Sequence, residues 1–227
     1  MSIAVSVDMR PQFGPVRDQG DRPTCLAFAA SDAHAALRNP WVHLSCEYLF
    51  YHTQSRAGRL PTQGAFLSDM LLTLRKEGQP AETDWPYLAR LPVDLSHYKP
   101  PSAVGPLFGR GGIQLNNAFD AIIRQLDSGS AVIVLSVLTR TFFRPPADGI
   151  INALPGDEIF PEPRHALVAI GYGLAAQNRM ILVRNSWGPT WGLAGYAWLT
   201  EAFVTEYAYG LALLTDEIDV SHRTATA

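Results

Sequence analysis

The sequence predicts an α+β protein of two subdomains, with helices in the first half and strands in the second. Two stretches carry this expectation. Cys25 to Leu37 (CLAFAASDAHAAL) is rich in alanine and leucine, holds no Gly or Pro, and is ended by Asn39-Pro40. Ala131 to Leu138 (AVIVLSVL) is a β-branched apolar run of the kind buried on both faces of a sheet. The join is expected near Gly105 to Gly112. This gives one chain-long domain with a helical subdomain over about 8–110, a β-rich one over about 111–214 and a short tail, 215–227.

The elements follow in order. Gly14 to Thr24 (GPVRDQGDRPT) is a loop, because Pro23 disfavours helix at Arg22, and Thr24 is a competent N-cap for the helix opening at Cys25. A second helix begins at Ser45, with Glu47 in its first turn and Tyr48, Leu49 and Tyr51 on its apolar face. A third runs from Leu67 to Lys76 and stops at Gly78, and the proline-rich stretch 79–112 reads as extended connection. Asn116 to Leu126 is helical. Ala166–Ile170, Met180–Arg184, Tyr196–Leu199 and Tyr207–Leu214 read as further strands.

Composition narrows the function classes. Over 227 residues, 47% apolar and 17% charged residues describe a globular chain able to bury a large core. A net charge of −3, with Lys and Arg scattered, gives no reason to expect a nucleic-acid or anionic-membrane partner. No run reaches the roughly 18 apolar residues of a membrane span, and the opening residues carry neither the basic head nor the apolar core of a signal peptide. Two cysteines allow at most one disulfide, so a reducing, cytoplasmic setting is expected, with signal-independent export left open.

Four positions carry chemistry. Cys25 opens a helix, where the positive end of the dipole favours a thiolate. Gln19 lies in the loop leading to it and can donate to a developing oxyanion beside the Cys25 N–H. His165 begins the apolar stretch HALVAIGYG, at a strand edge. Asn185 follows a strand and can accept from one imidazole nitrogen, with Trp187 shielding that bond from water. Taken singly, each has a plainer reading: a buried thiol, a solvated glutamine, a core histidine, a turn. The other histidines (His34, His43, His52, His97, His222) form no pair with metal-ligand spacing, and no metal or cofactor is expected. Cys46 reads as a thiol packed on the second helix.

Together these positions resemble the motif series of the papain-like cysteine peptidases: Gln-x5-Cys, then His-Ala-x4-Gly-Tyr-Gly, then Asn-Ser-Trp-Gly-x-x-Trp-Gly-x-x-Gly-Tyr. His165 lies 140 residues and Asn185 160 residues after Cys25, against a family spacing of about 130–150. Val7-Asp8-Met9-Arg10, Leu44-Ser45, Gln63-Gly64-Ala65-Phe66 and Trp85-Pro86-Tyr87 extend the resemblance from about residue 7 to about residue 214.

The resemblance implies a helical subdomain and a β-barrel-like one, with the active site in the cleft between them. It implies that Cys25 attacks, His165 shuttles protons, Asn185 orients His165 and Gln19 helps bind the oxyanion. It also implies substrate contacts from Gly64, Ala65, Phe66, Arg164, Trp187 and Leu214, and an apolar side chain two residues before the cleaved bond.

Departures from the family pattern are visible too. Arg22-Pro23-Thr24-Cys25-Leu26 stands where the family has Cys-Gly-Ser-Cys-Trp, which removes a disulfide and alters a cleft wall. Gly64-Ala65 replaces a double glycine, and Arg164 precedes the histidine where many relatives are acidic or amide. The mature-like sequence starts by residue 7, so either a protein inhibitor or regulator in place of a prosegment, or an intrinsically restricted cleft, is expected. The leading expectation is hydrolysis of a peptide or protein substrate through a thiolate–imidazolium pair and an acyl-enzyme. An acyl transferase or deamidase using the same groups, and a non-catalytic peptide-binding module on a papain-like scaffold, remain as alternatives.

Overall fold

The computed structural model describes residues 2–220. In chain order it contains strand β1 (Ala4–Asp8) and helices α1 (Cys25–Ala36), α2 (Cys46–Ala57) and α3 (Leu67–Lys76). Strand β2 (Gly109–Leu115), helix α4 (Phe119–Asp127), strand β3 (Val132–Thr139), the single turn α5 (Arg140–Phe143) and the short β4 (Ile150–Ile151) follow. The chain closes with β5 (Ile159–Ala175), β6 (Asn178–Arg184), β7 (Tyr196–Thr200), α6 (Glu201–Tyr207) and β8 (Ala208–Ile218). The class is α+β, and the described residues fall into two compact units. One holds 19–113 with 214–220, the other 2–18 with 114–213.

In the first unit, α1 is apolar on nearly every side and is buried from Leu26 to Ala35, as a helix without a polar face must be. Its alanines allow neighbours to approach closely. α2 starts on the Ser45 hydroxyl, which accepts from Tyr48 N–H at 3.1 Å, and ends on Gly58 in the left-handed region. Gln79 ties the unit together from inside. Its Nε2 donates to Ser31 Oγ (2.9 Å) and Ser45 O (3.2 Å), and its Oε1 accepts from His34 Nδ1 (3.0 Å). Tyr48 of α2 forms an aromatic cluster with Trp85 and Tyr98 of the long connection after α3. β2 pairs with β8, and a Cβ on Gly111 would come within 2.4 Å of Thr215 Oγ1.

The second unit is a sheet in the order β8-β3-β5-β6-β7-β4, with β1 paired to β5. All of these ladders are antiparallel except β4 on β7. The resemblance implies a barrel-like arrangement; the sheet is instead an open path, not closed into a barrel, that ends on the two-residue β4. β3 is buried along most of its length, as its β-branched run requires.

Several bounds differ from expectation for local reasons. α4 begins at Phe119 rather than Asn116, because the Asn117 amide donates to Ala208 O and Ala118 is extended. β5 runs well beyond Ala166–Ile170, through two prolines. Its ladder to β3 pairs Ile159 with Thr139, Phe160 with Leu138 and His165 with Ser136, with a shift of register between the last two pairs. Residues 215–218 continue β8. The rest of the expected tail from 221 on, with His222, lies outside the described residues.

Candidate active site

In the sheet unit, His165 sits on β5 opposite Ser136 of β3 and is 4% exposed. Its Nε2 lies 2.6 Å from Asn185 Oδ1. The same oxygen accepts from Ser186 N–H at 2.8 Å. A backbone N–H only donates, so the atom facing it is the amide oxygen, and His165 Nε2 must carry the hydrogen. The neutral imidazole is thereby held with its lone pair on Nδ1. Burial lowers the His165 pKa to about 4, against the opposing effect of the Asn185 bond.

Asn185 is itself fixed from two sides. Its N–H donates to Gly195 O (3.0 Å), and the preceding Arg184 closes β6 by donating to Gly14 O (2.9 Å), Pro15 O (2.5 Å) and Tyr196 Oη (2.9 Å). Trp187 lies against the imidazole at 4.6 Å between centroids and is packed by Phe142, Phe143 and Trp191. Its backbone bridges to Asp18, and Gly188 N–H donates to Arg17 O. Arg164 is the neighbouring residue along β5, so its side chain points to the other face. There it is exposed, pairs with Glu162 at 3.2 Å and lies over the Tyr209 ring.

In the helical unit, Cys25 is the first residue of α1, half-buried and outside any disulfide. Thr24 occupies the N-cap position but does not cap with its side chain. Its hydroxyl is engaged with Tyr87 Oη at 2.9 Å, which corrects the expected capping bond. Gln19 is buried, not solvated. Its Nε2 donates to Arg22 O (2.8 Å), and its own carbonyl accepts from Tyr87 Oη (2.6 Å).

Gly64, Ala65 and Phe66 lead into α3. Gly64 O accepts from Arg59 Nε (3.1 Å), and the exposed Phe66 ring carries the Arg59 guanidinium at 4.4 Å. Leu214 is buried on β8. The structure thus joins His165, Asn185 and Trp187 in one unit, and Gln19 and Cys25 on one segment of the other.

With that geometry established, the decisive comparison is with a family model described as papain family cysteine protease, which matches residues 3–209. The chain belongs to the papain family of cysteine proteases. Digestive cysteine proteinase 3 of Homarus americanus is 25% identical over 201 residues, covering 86% of this chain and 60% of that protein. Papaya proteinase 4 of Carica papaya is 26% identical over 205 residues, covering 86% and 55%.

Among solved structures, xylellain, a cysteine protease from Xylella fastidiosa, superposes with a TM-score of 0.75 at 22% identity, over 92% of this chain and 85% of that one. The Carica candamarcensis protease CMS1MS2, solved in complex with E-64, gives 0.74 at 22% identity, over 92% and 97%. These likenesses show the papain-like fold. The chain spans 55–60% of the length of these two relatives.

Sequence reasoning missed the surroundings of the papain-family residues. Arg22 stood out only as a departure from the family pattern and Tyr87 only as part of the Trp85-Pro86-Tyr87 landmark; nothing in the sequence tied either to Gln19. Phe142 and Phe143 gave a signal that could have been read: two adjacent aromatics after a buried strand suit a packing wall for Trp187.

Proposed function

We propose that this chain is a cysteine peptidase in which Cys25 is the nucleophile, His165 its base and Asn185 the group that orients His165. The observation that carries the reading is the His165 Nε2–Asn185 Oδ1 bond, whose tautomer leaves Nδ1 as the proton acceptor. Burial alone keeps His165 neutral. An imidazolium there needs an anion beside it, and a thiolate at the N-terminus of α1 supplies one.

In this reading the Cys25 thiol passes its proton to His165 Nδ1, and the sulfur attacks the peptide carbonyl. The resulting oxyanion is held by the Cys25 N–H and the Gln19 amide. The imidazolium then protonates the leaving amine, the C–N bond breaks, and a thioester remains. Water, giving a proton back to Nδ1, attacks the thioester and releases the carboxylic acid and the thiol. Asn185 accepts from Nε2 throughout, so the ring does not turn.

The substrate is a peptide or protein, with an apolar side chain two residues before the cleaved bond. Phe66 and Leu214 are the apolar groups that support this preference. Peptide-library cleavage with Cys25→Ala as control tests the whole reading. Cleavage by the native chain, lost in Cys25→Ala, with an epoxide inhibitor labelling Cys25, is the expected result. Full cleavage by Cys25→Ala eliminates the mechanism, and product masses separate hydrolysis from acyl transfer and deamidation.

A further inference from the structure

The loop before Cys25 is anchored by a buried charge pair. Arg22 is 6% exposed and Glu47, on the first turn of α2, 0%. The guanidinium donates to both Glu47 oxygens, Nη1 to Oε2 at 2.6 Å and Nη2 to Oε1 at 2.8 Å, and Nη1 also to Leu88 O at 2.6 Å. Glu47 is satisfied further by Tyr98 Oη (2.5 Å) and Leu88 N–H (2.9 Å). The rings of Phe50, Tyr87 and Tyr98 pack around the guanidinium carbon at 5.1–5.7 Å. Such a two-pronged, desolvated pair fixes geometry more than it adds stability, because desolvation offsets much of the attraction.

What it fixes is a carbonyl. Arg22 O accepts from Gln19 Nε2 (2.8 Å) and from Thr24 N–H (2.8 Å), immediately before the first residue of α1. Since an amide group is planar, the bond from Nε2 sets the direction of its second N–H as well. Tyr87 Oη closes the loop from the other side, donating to Gln19 O and meeting Thr24 Oγ1.

We propose that Arg22 is a positioning residue: paired with Glu47, it holds the loop so that its own carbonyl aims the Gln19 amide at the developing oxyanion. The role of Gln19 rests on the peptidase reading above; the aiming itself does not.

The test uses the full chain with Arg22→Lys, which keeps the charge and loses the fork, and Arg22→Met/Glu47→Leu, which replaces the pair by apolar volume. Single removal of either charge would strand the other in the core and unfold the unit, so the double variant is the informative one. Three quantities are read in variants that keep the native thermal midpoint. Peptide kcat should fall about 100-fold with KM changed less than about threefold, as expected for a displaced oxyanion donor. Alkylation of Cys25 by iodoacetamide should stay within about twofold, because displacement of iodide by sulfur generates no oxyanion. Exchange of the Gln19 side-chain amide hydrogens, followed by NMR, should speed up at least about tenfold.

Unchanged kcat in the folded double variant, or unchanged Gln19 exchange, overturns the proposal and leaves Arg22–Glu47 a stabilising pair only. A parallel loss of kcat and alkylation overturns it too, since the pair would then act on the thiol. If the native chain hydrolyses no peptide, the peptidase reading fails, and Gln19 exchange alone decides whether Arg22 aims the amide.

Discussion

The indole of Trp187 sits 4.6 Å from the imidazole of His165, ring centroid to ring centroid, with 39° between the planes. Phe143 stacks on Trp187 at 5.4 Å and 12°, and Phe142 meets both rings edge-on. His165 is therefore walled by aromatics, with the Asn185 amide oxygen as the polar group that holds it. Burial is the physical source of its depressed pKa, because an imidazolium there would have lost its water, and the aromatic wall contributes to that burial.

Removing the wall should restore the ordinary titration. In a Cys25→Ala background, which takes the thiol out of the problem, His165 should titrate near 4 by NMR. Adding Trp187→Ala should move it up toward the ordinary histidine value of 6.5. A His165 that titrates at the same pH with and without the indole would show that burial by other groups sets its pKa.

Asn185 sets direction rather than charge. With Asn185→Ala, His165 Nε2 and Ser186 N–H both lose their acceptor, and nothing then selects the tautomer with Nδ1 unprotonated. Peptide kcat should fall on the order of 100-fold, and stability by about 1–3 kcal/mol for the buried donors left unpaired. Asn185→Asp keeps an acceptor and should retain more of the orientation, with the added charge raising the His165 pKa. Steady-state kinetics beside thermal melts separate the two effects; equal activity of Asn185→Ala and the native chain would refute the orienting role.

The sequence made some of this legible and not the rest, for physical reasons. α3 begins and ends where its apolar spacing and Gly78 place it, since local signals decide a short amphipathic helix. His165 and Asn185 were legible because their motifs bracket buried strands and because turn glycines fix the backbone after Asn185. Thr24 was misread because a hydroxyl's choice between its own helix and Tyr87, sixty-three positions away, is not local. The Arg22–Glu47 pair was invisible for the same reason. β5 was underestimated because only Ala166–Ile170 is a continuous apolar run, whereas the strand extends from Ile159 to Ala175 through polar and proline positions that its pairing to neighbouring strands decides.

Acid should destabilise the fold through two buried histidines. Burial lowers the pKa of His165 to about 4 and of His34 to about 3, and His34 also feels Arg110 and Arg38. Each folded-state value lies below the unfolded value of about 6.5, so stability is fully present above pH 6.5. It is lost as pH falls, because the unfolded chain takes up protons that the folded chain refuses.

Near pH 5 the two together should give a slope of roughly 2.5 kcal/mol per pH unit. Urea unfolding of the Cys25→Ala protein at stepped pH measures it, and His34→Gln should remove about half. A flat profile from pH 7 to 5 would mean that both imidazoles are charged in the fold, and a half-sized slope that one of them is.

The turn after Asn185 is sterically exacting. Gly192 has φ +54, and a Cβ there would lie 2.4 Å from the Tyr196 carbonyl oxygen, a backbone atom with no rotamer to escape into. The same turn carries Gly195 O, which accepts from Asn185 N–H. Gly129 offers the comparison, with φ +78 and nothing within 4 Å of where a Cβ would stand. Gly129→Ala should therefore cost only the left-handed backbone strain, about 1–2 kcal/mol, with activity intact. Gly192→Ala adds overpacking of about 1–3 kcal/mol and, by shifting the turn, should displace Asn185 and lower peptide kcat while Gly129→Ala does not. Chemical unfolding and kinetics of the two variants side by side decide it: equal losses of stability would mean that backbone strain alone, and not the Tyr196 carbonyl, makes glycine necessary in this turn.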